Sequence, residues 1–200
     1  MARAIRKATT QAEIPIIGFT DKSEFRGWLK ENHKQSSGIW IHFAKKDSGI
    51  PSVTYHEALD VALCYGWIDG LKKSHDAKTF VQKFTPRRAR SIWSKINRDK
   101  ALALVANGQM RAAGLAEMER AKKDGRWEAA YESQSRAEIP DDLQLALDAN
   151  PRAAKFFVTI SSQNRYAILF RIHNAKKAET RAKKIAQFVE MLERNETIHP

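Results

Sequence analysis

The residues best suited to chemistry stand in two short runs. Cys64-Tyr65-Gly66-Trp67-Ile68-Asp69-Gly70 sets a thiol, a phenol and a carboxylate around two glycines. Phe84-Thr85-Pro86-Arg87-Arg88 is followed by Ser91, Trp93, Ser94 and Asn97. Arginine forks match carboxylates and phosphates in two-point hydrogen bonds, and free N–H groups at a helix start help to hold anions. Arg87 and Arg88 fall at a strand end beside a helix start, so with Asp69, Trp93 and Asn97 they outline an anion-binding strip. If Asp69 meets either arginine across a sheet, the pair makes a structural ion pair or one wall of a polar pocket.

Cys64 is the one cysteine, so no intrachain disulfide forms and cysteine-based zinc motifs are excluded. Its thiolate would be a nucleophile if the arginines lowered its pKa. Its place within a helix instead marks a small buried hydrophobe. The six histidines form no close ligand pair along the chain, and His56-Glu57 lacks a second histidine at helical spacing. No Walker loop, nucleophile elbow or dinucleotide fingerprint is present. The sequence therefore calls for no metal, no cofactor and no assigned catalytic residue; an enzyme would have to use Cys64 or Asp69.

A formal charge of +12 draws such a chain to anions. Between Asp76 and Asp99 no acidic residue occurs, while Lys78, Lys83, Arg87, Arg88, Arg90, Lys95 and Arg98 accumulate around Trp93. A second basic stretch spans 165–184. Nonspecific nucleic-acid binding would use both, with Lys83, Arg90, Lys95 and Arg98 on phosphates and Trp93 stacking on bases. No recognised nucleic-acid motif accompanies them.

The elements that must position these residues follow from periodicity and caps. Asp21 or Ser23 starts a helix to Asn32, and Ile39, Ile41 and Phe43 alternate along a strand. Thr54 caps a helix through Tyr65 that ends at Gly66. Two antiparallel strands, Trp67 to Lys73 and Thr79 to Thr85, flank a polar turn and stop at Pro86. Helices then follow: from an Asn97 cap to Asn107, about Ala112 to Asp124, Asp141 to Ala149, Ala153 to Ile160, and about Lys176 to Arg194. The last has Ala178, Ala182, Ile185, Val189 and Leu192 on one stripe. The expected fold is α+β: a small antiparallel sheet with helices in the N-terminal half and an all-helical C-terminal half. The expected division is a flexible basic tail at 1–12, an α+β domain at 13–96, and a helical region at 97–200 packed on it.

No apolar run is long enough for a transmembrane segment, and the basic N-terminus lacks the apolar core of a secretory signal. With the lone cysteine, this gives a cytoplasmic protein as the expectation.

The two runs, with Phe25-x-x-Trp28-Leu29, Ala121-Lys122-x-Asp124-Gly125-Arg126-Trp127 and Ala175-Lys176-x-x-x-Thr180-Arg181, resemble the YdeI/OmpD-associated family of bacterial proteins over most of the chain. The resemblance implies a link to tolerance of bacteriocins and antimicrobial peptides and to association with an outer-membrane porin, with no established reaction. The expected function is thus a non-catalytic binding or stress-tolerance protein. Its partner would be a small anionic ligand or an acidic protein surface, with nucleic acid as the alternative.

Overall fold

Asp21 opens the first helix: one carboxylate oxygen accepts from the Ser23 and Glu24 amides at 2.6 and 3.0 Å. This is the N-cap geometry that satisfies donors a helix start leaves free. In the computed structural model, which describes residues 14–200, the chain runs through four strands and eight helices. The tail expected at 1–12 lies outside the described residues.

The strands are β1 (Ile16–Gly18), β2 (Ile39–Ala44), β3 (Trp67–Ser74) and β4 (Thr79–Pro86), in spatial order β1-β2-β4-β3. Helices α1 (Lys22–Asn32) and α2 (Tyr55–Cys64) precede the β3–β4 hairpin. Helices α3 (Lys95–Ala106) and α4 (Ala112–Lys123) follow it. Then come α5 (Asp141–Asp148), α6 (Pro151–Thr159), α7 (Ser162–His173) and α8 (Ala178–Glu193). The class is α+β, as expected. The sheet is mixed, however, because β1 adds to β2 in parallel.

The chain forms two units: one takes residues up to Ile92 together with Asn97–Glu128, the other Trp93–Ile96 with Ala129–Pro200. In the first, Ile39, Ile41 and Phe43 of β2 stand in register with Phe84, Gln82 and Phe80 of β4. All three β2 residues are buried, which is what two-residue alternation requires of an inward row. Phe25 of α1 meets Phe84 edge-on, and Trp28 meets Trp67 at 5.8 Å. The sheet and α1 thus share one aromatic core. A capping box joins Thr54 and Glu57 at the start of α2, and the hydrogen bonds from Thr54 hold the Glu57 carboxyl below its ordinary range.

The second unit is a helical cluster around Leu143, Leu147, Phe157, Ile168, Ile172, Ile185 and Leu192. Asn150 caps α6 through its oxygen on the Ala153 amide at 3.1 Å, and Pro151 occupies the first turn. Of the apolar stripe on α8, Ile185 and Leu192 are buried, while Ala178 and Ala182 face solvent. The stripe packs only along the C-terminal part of that helix. The reading of Asn97 as a cap is corrected: α3 begins two residues earlier, at Lys95. The Lys95 amide donates to the Tyr131 carbonyl at 2.9 Å, so an external acceptor serves the helix start.

Candidate anion-binding cleft

The turn between α2 and β3 brings α4 close. Gly66 has φ +72°, and a Cβ there would stand 2.9 Å from both the Ala113 carbonyl oxygen and the Glu117 side chain. Gly114 approaches from the other side, where a Cβ would lie 2.6 Å from the Cys64 carbonyl oxygen and 2.7 Å from that of Leu63. Two glycines therefore let the start of α4 abut the end of α2. The Arg111 amide donates to the Cys64 carbonyl at 3.2 Å, fixing the junction.

Beside this junction opens a cleft of about 750 Å³. Arg26, Lys30, His33 and Lys34 line one wall; Tyr65, Arg111, Ala112 and Ala113 close it. No carboxylate lines it, and none of Arg26, Lys30, Lys34 and Arg111 makes an ion pair among the described residues. Arg111 occupies the N-cap of α4 without a side-chain cap hydrogen bond. The first amides of a helix have no acceptor within it, so Ala112 and Ala113 present donors and the positive end of the helix to the cleft.

His33 is held by its Nδ1 at 2.8 Å from the Leu29 carbonyl. A carbonyl only accepts, so Nδ1 carries the proton and Nε2 is the ring's remaining polar atom. The imidazole lies 5.2 Å from the Tyr65 ring. Trp67 anchors the same corner by donating its indole N–H to the His33 carbonyl at 3.2 Å. Cys64 lies beneath, 2% exposed. Burial pushes its thiol pKa up, against the pull of Arg26 and Arg111. A buried protonated thiol is a poor nucleophile.

The residues of the expected strip take other places. Asp69, on β3, accepts from the Tyr55 hydroxyl and the Gln82 amide, both at 3.0 Å. It stands in register with Phe84, whereas the Arg87 amide donates to Gly66, three residues back along the chain. At a strand rise of roughly 3.3 Å per residue, the two backbones are about 10 Å apart along the ladder. Arg87 is 6% exposed, with one guanidinium nitrogen 3.2 Å from the Ile92 carbonyl.

Arg88 is exposed. Its amide donates to the Ser91 hydroxyl at 2.9 Å, and its carbonyl accepts from Arg120 at 3.1 Å. Arg126 donates to the Ser91 carbonyl at 2.6 Å and chelates Asp124. Glu117 pairs with Arg120 and lies within Coulombic reach of Arg87 and Arg126. The loop after β4 is thus braced from α4 by a network with its own counter-ions.

Trp93 is 2% exposed and belongs to the second unit, where its carbonyl accepts from Tyr131. Asn97 is half-buried in the first turn of α3. Lys83 stands in register with Trp40, and Arg90 is exposed. Lys95 pairs with Glu132 at 2.5 Å and Arg98 with Asp99 at 3.5 Å. Sequence reasoning passed over Arg26 and Lys30, although their four-residue spacing puts them along one face of α1, and Lys34, which follows just beyond the helix end.

The fold and the cleft define an α+β protein with a basic pocket at a helix junction. Residues 17–117 match a family model described as Domain of unknown function (DUF8412); this is half of the chain, and the chain belongs to that family. Residues 136–195 match the model described as Bacteriocin-protection, YdeI or OmpD-Associated, the family that the motifs resemble. The runs at 63–70 and 84–97 fall inside the first match, as does every residue lining the cleft. No curated protein and no solved structure matches the chain.

Proposed function

We propose that this protein is a non-catalytic binding protein for small phosphate-bearing anions, and that it takes them in the cleft between α1 and α4. One observation carries the reading: four cations without ion-pair partners among the described residues converge on the capless start of α4, with no carboxylate among the lining residues. Like charges gathered this closely repel one another, and an anion relieves that repulsion while accepting from the helix amides. The reading moves the anion site away from Arg87 and Arg88, whose surroundings suit a braced loop.

A tolerance role fits this chemistry indirectly. Antimicrobial peptides that bind membranes are rich in Lys and Arg on their polar face. A chain of charge +12 repels such peptides. Tolerance would therefore act through an anionic ligand, in the cytoplasm, where an unpaired thiol such as Cys64 stays reduced.

Calorimetric titration with inorganic phosphate, pyrophosphate and a short single-stranded DNA tests the proposal. Pyrophosphate is expected to bind saturably, and Arg26→Ala or Arg111→Ala to weaken it by about ten- to a hundredfold, the worth of one charge-assisted hydrogen bond. Arg88→Ala is expected to change little. DNA binding that falls steeply with salt, with no response to pyrophosphate, would instead favour the nucleic-acid reading.

A further inference from the structure

The strand order reunites two histidines that the sequence separates. His42 on β2 stands in register with Val81 of β4, and Val81 in turn with Lys73 of β3, two residues before His75. The imidazoles meet edge to face with centroids 5.0 Å apart. Asp76 follows at the turn, and one ligand atom from each of His42, His75 and Asp76 lies within 4.8 Å of the others. The sequence offers no close histidine pair along the chain, because pairing across a sheet depends on register and leaves no local signature.

We propose that His42, His75 and Asp76 form a binding site for a first-row transition-metal dication of the zinc, nickel or copper class. Metal–ligand bonds of about 2.0–2.1 Å put tetrahedral ligands roughly 3.4 Å apart, so the three atoms need to close by little more than 1 Å. His75 and Asp76 are exposed, which leaves their side chains room to do so.

The frame around them is fixed. One Asp76 oxygen accepts from the Lys78 and Thr79 amides at 2.8 and 2.7 Å, which orients the carboxylate and leaves its other oxygen for a metal. The Lys45 ammonium donates to the Asp76 and Ala77 carbonyls at 2.8 and 3.1 Å, tying the turn to the end of β2. His42 sits between the buried Ile41 and Phe43 on a central strand.

The same surroundings select the ion. Two imidazoles and one carboxylate suit zinc, copper or nickel, whereas magnesium and calcium need more oxygens. The fixed charge of Lys45 also opposes a hard cation bound by charge alone. Three protein ligands would leave a coordination position open to water or an outside ligand.

The test is calorimetric titration of zinc chloride into the full-length, untagged protein, with His42→Ala, His75→Ala, Asp76→Asn and His56→Ala variants checked for folding by circular dichroism. Asp76→Asn keeps an oxygen for the turn amides while removing the charged ligand. The proposal expects one zinc per chain and a higher melting temperature on binding. Affinity should drop at least tenfold in each of the first three variants and stay unchanged in His56→Ala. Absence of saturable binding to the wild type overturns it, as does binding that survives in both His42→Ala and His75→Ala.

Discussion

Gly114 lies so close to Cys64 that a methyl group on its Cα would stand 2.6 Å from the Cys64 carbonyl oxygen. No real Cβ is accommodated at that distance without a shift of backbone. The contact holds the start of α4 against the end of α2, and with it one wall of the basic cleft.

Gly114→Ala therefore tests the junction. Alanine is about 1 kcal/mol the better helix former, which favours the variant in isolation. Overpacking against two carbonyls costs about 1–3 kcal/mol and is expected to prevail. Urea denaturation should show net destabilisation, with weaker pyrophosphate binding. A more stable variant would mean that the two helix ends can separate without loss.

Cys64 offers a chemical probe of the same corner. At 2% exposure, with its pKa raised by burial, it should resist a thiol reagent in the native state and react fully in urea. Fast stoichiometric labelling of folded protein at neutral pH would revive the nucleophile reading.

Much of this corner was legible from local rules. Thr54, Gly66 and the Ile39-Ile41-Phe43 alternation each announce their element, because caps, left-handed turns and strand faces are set by neighbouring residues. The three-residue β1 carries too little pattern to be seen, and its parallel pairing makes the sheet mixed. Helix α7 was missed because Tyr166, Ala167, Ile168, Leu169 and Phe170 run consecutively and show no single apolar stripe, although Ser161 caps it. The cleft draws on residues 23–34, 65 and 111–113, and the histidine pair on strand register; neither is written in any one stretch.

In the second unit, Tyr166 donates its hydroxyl to the Glu132 carbonyl at 2.9 Å. Burial, then Tyr131 and Glu132, push its pKa up to about 12. Phenolate absorbance should show a tyrosine ionising near pH 12, and Tyr166→Phe should remove that late step. Because the folded pKa lies above the unfolded value near 10, the stability this tyrosine lends is complete below pH 10 and is lost as pH climbs toward 12. The substitution is expected to cost about 1 kcal/mol at neutral pH.

Asp142 and Arg181 pair through two nitrogens, at 2.5 and 2.8 Å, and the arginine holds the Asp142 carboxyl below its ordinary range. A depressed pKa gives stability that is present above the unfolded value near 3.9 and lost as pH falls below it. Both side chains are partly exposed, so Asp142→Asn should cost no more than about 1 kcal/mol at pH 7 and progressively less as pH falls toward 2. Urea midpoints at the two pH values measure this directly; equal losses at both would assign the effect to something other than the carboxylate charge.

The most direct test of the anion-binding account is an amide chemical-shift titration of the labelled protein with pyrophosphate. The account predicts saturable shifts concentrated at Ala112, Ala113 and Tyr65 and along Arg26–Lys34, with little change at Arg87–Ser91. Shifts centred on Arg87–Ser91, or spread evenly over the basic stretches at 78–98 and 165–184, would contradict it.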